Sequence, residues 1–195
     1  EYMCSRCIGL KSINLSSNIE EIKKFTFCSC TALTYISKLG KTKSIEQNAF
    51  KACTKLLYIE IPDTVTSIGS NAFEKCSSFT NITIPDGVTS IPAYMLSACS
   101  ELKSITISES VTSIGNYAFA YLTSLESFVI PETATTIGTY AFSYNSIMKS
   151  INIPRNITSI PGNLFYKCYA LTALDIPENV TSIGERAFGY CSKLS

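Results

Sequence analysis

The chain has 195 residues, 16 Lys+Arg against 15 Asp+Glu, no His, no Trp and a formal net charge of +1. Near-neutral charge without a basic run or an aromatic-basic patch argues against nucleic acid as a partner. With no His, Ser-His-Asp, Cys-His and His-metal arrangements are all removed.

Other chemistry is equally thin. There is no GxGxxG or GKS/GKT phosphate loop. The acidic residues recur periodically and form no isolated pair. No apolar run reaches the roughly 18 residues that a membrane helix needs.

Length alone would allow two globular domains, but an internal period overrides it. Residues 1–14 form a partial coil in which Cys7, Leu10 and Ile13 fit later columns. Residues 15–37 are a degenerate coil with Ile19, Ile22, Phe27, Cys30, Leu33 and Ile36. Residues 38–60 form another, with Lys38 at the position that later holds Ile, and Ile45, Phe50, Cys53, Leu56 and Ile59 in place. From Ile61 the repeat is regular. The stretch IPDTVTSIGSNAFEKCSSFTNIT spans 61–83, and coils 84–106, 107–129, 130–152 and 153–175 copy it at 23-residue steps. A partial coil, 176–195, follows. No linker or low-complexity tract interrupts the run, so 1–195 is read as one domain. The chain starts without Met inside a coil and ends inside another, so it is expected to be a piece of a longer array.

A fixed period in the twenties is the signature of a leucine-rich-repeat solenoid, each repeat one coil. Phe79, Ile82 and Ile84 give apolar-x-x-apolar-x-apolar, whose last part alternates as a half-buried strand does. Pro85 ends that strand for lack of an N–H. Val65–Ile68 reads as a second, shorter extended piece on the opposite wall. Residues 70–76 (SNAFEKC) have room for about two helical turns. Phe79, Leu102, Leu125, Ile147, Leu171 and Leu194 are read as one inward column, and Ala72-Phe73 and its copies as another. Gly69, Gly115, Gly138 and Gly184 share a column with Pro92 and Pro161. That column therefore marks a turn, not an obligatory left-handed residue. The expected fold is an α/β solenoid: a right-handed stack of about eight coils, with a parallel sheet on the concave wall and short strands and helical turns elsewhere.

The motif IPxxVTSIGxxAFxxCxxLxxIxI resembles the BspA-like, or Treponema-type, leucine-rich repeat, over the whole chain. That resemblance implies a surface or secreted protein of a bacterium or parasitic protist. It further implies a protein ligand and adhesion to host matrix or cells; the missing His and phosphate loop leave no enzymatic activity or cofactor expected. Two alternatives remain open on the residues: a structural spacer carrying another domain, and an intracellular scaffold, since the thiols read as unpaired. Nothing in the residues fixes the oligomeric state.

Two faces are candidate contact surfaces. On the strand face, outward positions carry Tyr35, Tyr58, Asn81, Ser104, Ser127 and Ser150 in one row. The neighbouring row carries Glu60, Thr83, Thr106, Val129, Asn152 and Asp175. The second face is phenolic. Tyr94, Tyr117 and Tyr140 share a column, and Tyr121 and Tyr144 follow by four residues, on one side of the expected helical turn.

Three further columns read as structural. Seven of the nine cysteines (Cys7, Cys30, Cys53, Cys76, Cys99, Cys168 and Cys191) share a slot with Leu122 and Asn145, which reads as packing of a small hydrophobe. Cys4, Cys7, Cys28 and Cys30 mimic zinc spacing, but the column already explains two of them, so no metal is expected. Asp63, Asp86, Glu109, Glu132 and Glu178, broken by Arg155, read as solvated turn residues. The Thr66–Thr181 row lacks the Thr-x-Thr spacing of ice-binding solenoids. Sequons occur at Asn14, Asn81, Asn156 and Asn179.

Overall fold

The computed structural model describes residues 4–195; the first three residues of the 1–14 coil lie outside it. Alternation at Asn81–Thr83 and Ser104–Thr106 produces two strands that pair in parallel, Ile82 against Ile105, with Ile82 inward and the flanking polar residues outward. The same 23-residue register pairs Ser12–Ile13 with Tyr35–Ile36, and Ser127–Phe128 with Ser150–Ile151. The result is a parallel-strand solenoid of about seven turns.

The wall that the sequence marks as minor is the better paired. Its Ser-Ile dipeptides build two three-stranded ladders, Glu21–Ile22/Ser44–Ile45/Ser67–Ile68 and Ser90–Ile91/Ser113–Ile114/Thr136–Ile137. Ser159–Ile160 pairs with Ser182–Ile183. The wall expected to carry the main sheet has only two-stranded ladders. Among the described residues, Leu57–Glu60 and Thr172–Asp175 form no strand on it.

No helix forms among the described residues, so the α/β expectation and its helical turns are corrected. The reason lies in where the N–H groups go. Asn71, Phe73 and Lys75 donate to Ala93, Met95 and Ser97 of the next coil at 3.0, 3.0 and 2.8 Å. Ala72, Glu74 and Cys76 donate three residues back, closing successive tight turns. Asn71 and Lys75 take left-handed φ of 60° and 61°. A helix keeps its N–H groups for itself. Here every second one bonds another coil, and a seven-residue segment is too short to nucleate a helix against that competition.

The core follows the columns. Phe27, Phe50 and Phe73 stack at 5.2 and 5.6 Å between ring centroids. Leu96 interrupts, and Phe119, Phe142, Phe165 and Phe188 resume the stack at 5.3, 6.0 and 5.8 Å. Two expected positions move. Met148 fills the inward slot assigned to Ile147; it is fully buried, while Ile147 is 37% exposed. The strict 23-residue step from Leu125 lands on Met148, and a residue one place off faces solvent. Lys38 stays exposed, paired with Glu60 at 3.1 Å, and Leu39 turns in instead. The glycine column does not need positive φ, as expected, and Pro92 and Pro161 show that it tolerates a side chain in some coils, but Gly69 does not. A Cβ at Gly69 would collide with the backbone of Gln47 in the preceding coil.

Candidate recognition surfaces

The phenolic columns become two stacks. Tyr94, Tyr117 and Tyr140 lie ring on ring at 4.7 and 4.6 Å, with interplanar angles of 6° and 5°. Tyr121 and Tyr144 stack at 4.3 Å. Although no helix holds them, the turn geometry sets the two stacks side by side. Tyr166 joins them, edge-on to Tyr140 at 6.4 Å and to Tyr144 at 5.5 Å, and Tyr190 continues from Tyr166 at 5.3 Å. Sequence reasoning missed Tyr166 and Tyr190. The signal was present, since Tyr190 stands two 23-residue steps after Tyr144 with Lys167 between them.

Lys167 takes the intervening slot, and its Nζ lies over the rings of Tyr144, Tyr166 and Tyr190 at 5.1, 5.5 and 5.8 Å from their centroids. Burial, then the neighbouring phenols, raise the pKa of Tyr117. Tyr121 is raised by burial first and then by the charge and hydrogen bond of Tyr144.

The backbone under these rings is unusual. Tyr94, Tyr117, Tyr121, Tyr140, Tyr144 and Tyr190 all have φ between 56° and 63°. That left-handed region suits Gly and Asn and costs a bulky residue about 1–2 kcal/mol. Asn48, Asn71 and Asn163 occupy the column of Tyr94, Tyr117 and Tyr140 elsewhere in the array, and Ala52, Lys75 and Ala98 occupy that of Tyr121, Tyr144 and Tyr190. Ring stacking returns only about 0.5–1.5 kcal/mol per pair. Strain and stacking are terms of similar size, so stability alone does not single out tyrosine there; Tyr94 and Tyr121 are 36% and 40% exposed.

On the strand face, Tyr35, Tyr58, Glu60, Asn81, Thr83, Ser104, Thr106, Ser127, Val129, Ser150 and Asp175 are all exposed. The ladders set Asn81 beside Ser104, Thr83 beside Thr106 and Ser127 beside Ser150. Tyr35 and Tyr58 are not in ring contact. Asn152 is half-buried and already engaged. Its Oδ1 accepts the Ile130 N–H at 2.7 Å, and its Nδ2 donates to the Ile130 carbonyl at 2.9 Å. Beyond it, where Thr172–Asp175 leaves the ladder, an open groove of about 750 Å³ runs between Asn152, Arg155, Asp175, Ile176 and Glu178.

The remaining columns are largely spent on coil-to-coil bonding. Glu109 accepts the N–H of Glu132 at 3.2 Å and Glu132 that of Arg155 at 3.0 Å, so backbone donors relieve the like-charge row. Thr112, Thr135 and Thr181 hydroxyls donate to Thr89, Thr112 and Thr158 carbonyls. The amides of Asn156 and Asn179 donate to the Glu132 and Arg155 carbonyls at 2.7 Å, whereas that of Asn81 meets only Thr80. The cysteine column does more than pack. Cys53, Cys76, Cys99 and Cys168 donate their thiols to the carbonyls of Phe27, Phe50, Phe73 and Phe142 at 3.1–3.2 Å. Among the described residues no group of three or more His, Cys, Asp or Glu is arranged to hold a metal ion.

The BspA type leucine-rich repeat region matches residues 1–125 and 112–195, in six copies. The chain belongs to the BspA-type leucine-rich-repeat family. Among solved structures, this BspA-type array is similar to a leucine-rich cell surface protein of Faecalibacterium prausnitzii, at 30% identity and a TM-score of 0.73. The likeness covers 90% of this chain and 57% of that one, so the array spans little more than half of that relative's length. It is also similar to the leucine-rich repeat protein of T. pallidum, at 28% identity and a TM-score of 0.64, covering 94% and 78% of the two chains. A leucine-rich repeat protein of Eubacterium ventriosum, 19% identical with a TM-score of 0.54, shares the fold. No curated protein matches the chain. No helix among the described residues is long and apolar enough to cross a membrane.

Proposed function

We propose that this BspA-type array is a non-enzymatic protein-recognition module, and that its tyrosine face is the principal contact surface. The observation that carries the reading is the placement of stacked tyrosines, half-buried at Tyr117 and Tyr140 and exposed at Tyr94, on left-handed backbone where Asn would fit at lower cost. Strain retained at a surface points to a role other than stability. Tyrosine supplies a large apolar face with a polar tip, the composition enriched at protein interfaces. The strand-face residues from Tyr35 to Asp175 form a second, weaker contact surface of hydroxyls and amides. In the intact protein the role is adhesion at the cell surface, to host matrix or to other cells. The Faecalibacterium prausnitzii relative, described as a cell surface protein, supports that setting.

Equilibrium binding of the chain to a panel of immobilised extracellular-matrix proteins tests this. The expected result is saturable binding to at least one of them, lost in the Tyr117→Ser/Tyr140→Ser double variant while its circular dichroism is retained. No binding to any member, or binding unchanged in the variant, contradicts the reading and favours a spacer that only holds another domain at a distance.

A further inference from the structure

Lys167 sits in a setting that a primary ammonium does not need. Its Nζ is within 6 Å of three tyrosine centroids, the range over which ring quadrupoles attract a cation. Tyr166 stands at 65° to Tyr144 and at 84° to Tyr190, so the rings form walls around the charge, not a flat platform. Among the described residues no carboxylate pairs with Lys167, and its ammonium donates no hydrogen bond. An ammonium carries three N–H donors and is strongly hydrated, so water competes well for it. A cation without N–H groups loses far less on entering such walls. Tyr190, 64% exposed, leaves one side open for entry.

We propose that Tyr144, Tyr166 and Tyr190 form an aromatic cage for a trimethylammonium group, and that Lys167 occupies the cage when no such ligand is bound. Lys167 is anchored by its backbone, whose N–H donates to Gly189 at 2.7 Å, so its flexible side chain swings out to water without disturbing the coil. Arrival of the ligand exchanges one cation for another and leaves the net charge of the cage environment unchanged. The cage stands on the geometry of three rings and does not depend on the wider tyrosine face binding a protein.

The test is a proton NMR titration of choline chloride with the full chain, reading the N-methyl signal, with ethanolamine, read at its N-methylene signal, and sodium chloride as controls at equal ionic strength. Ring currents should shift the choline methyl signal upfield and saturably, and ethanolamine should show no saturable shift. Lys167→Gln removes the internal competitor and should tighten binding by about fivefold, the scale of one exposed cation–π contact. Tyr166→Leu should abolish the shift. Tyr190→Ser, at the most exposed ring, should weaken it strongly while leaving the unfolding midpoint near that of the parent. Parallel titrations with phosphocholine and with Nε-trimethyl-lysine separate a headgroup from a modified side chain as the source, by whichever binds more tightly. The proposal is overturned if neither the parent nor Lys167→Gln shifts the choline signal. It is equally overturned if Tyr190→Ser binds as the parent does, or if ethanolamine matches choline.

Discussion

Asn145 reaches back 23 residues to Leu122: its Oδ1 accepts the Leu122 N–H at 2.7 Å, fully buried. Its Nδ2 donates to the Phe119 carbonyl at 3.0 Å. In other coils a cysteine thiol makes that second bond, and the cysteine's own N–H turns to the Phe carbonyl three residues back. One amide thus performs the thiol's task and takes over a backbone donor as well. Asn145→Ala leaves buried polar groups short of partners and should destabilise the chain by about 1–3 kcal/mol. Asn145→Cys restores the pattern of the other coils and should cost about 1 kcal/mol or less. Urea unfolding of the two variants distinguishes a hydrogen-bonding column from one that only fills space, for which the two would differ by volume alone.

Alkaline pH should unfold the stack. Burial pushes the Cys168 thiol from its ordinary 9.0 up to about 12, and it raises Cys53, Cys76 and Cys99 in the same direction. An unfolded chain gives up these protons near pH 9, whereas the folded chain keeps them. The unfolded state then binds fewer protons, so stability falls as pH rises. The unfolding midpoint should be nearly flat up to about pH 8.5 and decline from there towards about pH 12. Tyr117 and Tyr121, raised above 10.0 by burial, add to the decline. Cys168→Ala should flatten part of the slope.

Much of this architecture is legible in the chain because one physical rule is repeated without insertion. Ile82, Ile105 and Ile151 are inward because residues on either side of them are polar and the step is constant. The step also singles out Met148; Ile147 is the more hydrophobic neighbour, but it is one place off the register and faces solvent. The helical turn expected at residues 70–76 rests only on the local spacing of Ala and Phe. What decides the conformation is not local: the N–H of Phe73 has a carbonyl waiting on Met95, in a coil that sequence spacing cannot show. The tyrosine columns are visible as columns. That their backbone is left-handed, and that Tyr166 and Lys167 close one end of the patch, follows only from the turn geometry.

Phe119 packs within the second phenylalanine stack, 5.3 Å from Phe142 and 5.2 Å from Phe128. Its carbonyl also receives Asn145. Phe119→Ala should cost about 3–5 kcal/mol. Because each coil is held mainly by its neighbours, the damage should spread. Hydrogen exchange should accelerate in the coils on both sides of Phe119 before it does so near Phe27.

Replacing a stacked tyrosine by the residue its backbone prefers should separate stability from recognition. Tyr117→Asn gives up two stacking contacts but relieves left-handed strain, terms of similar size at about 1–2 kcal/mol each. The midpoint in urea should move little. A loss as large as that expected of Phe119→Ala would mean that the tyrosines are core residues.

Recognition by the tyrosine face is tested most directly by a two-face comparison against one matrix ligand. Dissociation constants would be measured for the parent, for Tyr117→Asn/Tyr140→Asn and for the strand-face pair Thr83→Lys/Thr106→Lys, all folded by circular dichroism. The tyrosine pair should weaken binding by at least about tenfold, as removal of interface anchors does, and the strand-face pair by about threefold or less. The reverse order, or equal affinities in all three proteins, would contradict it.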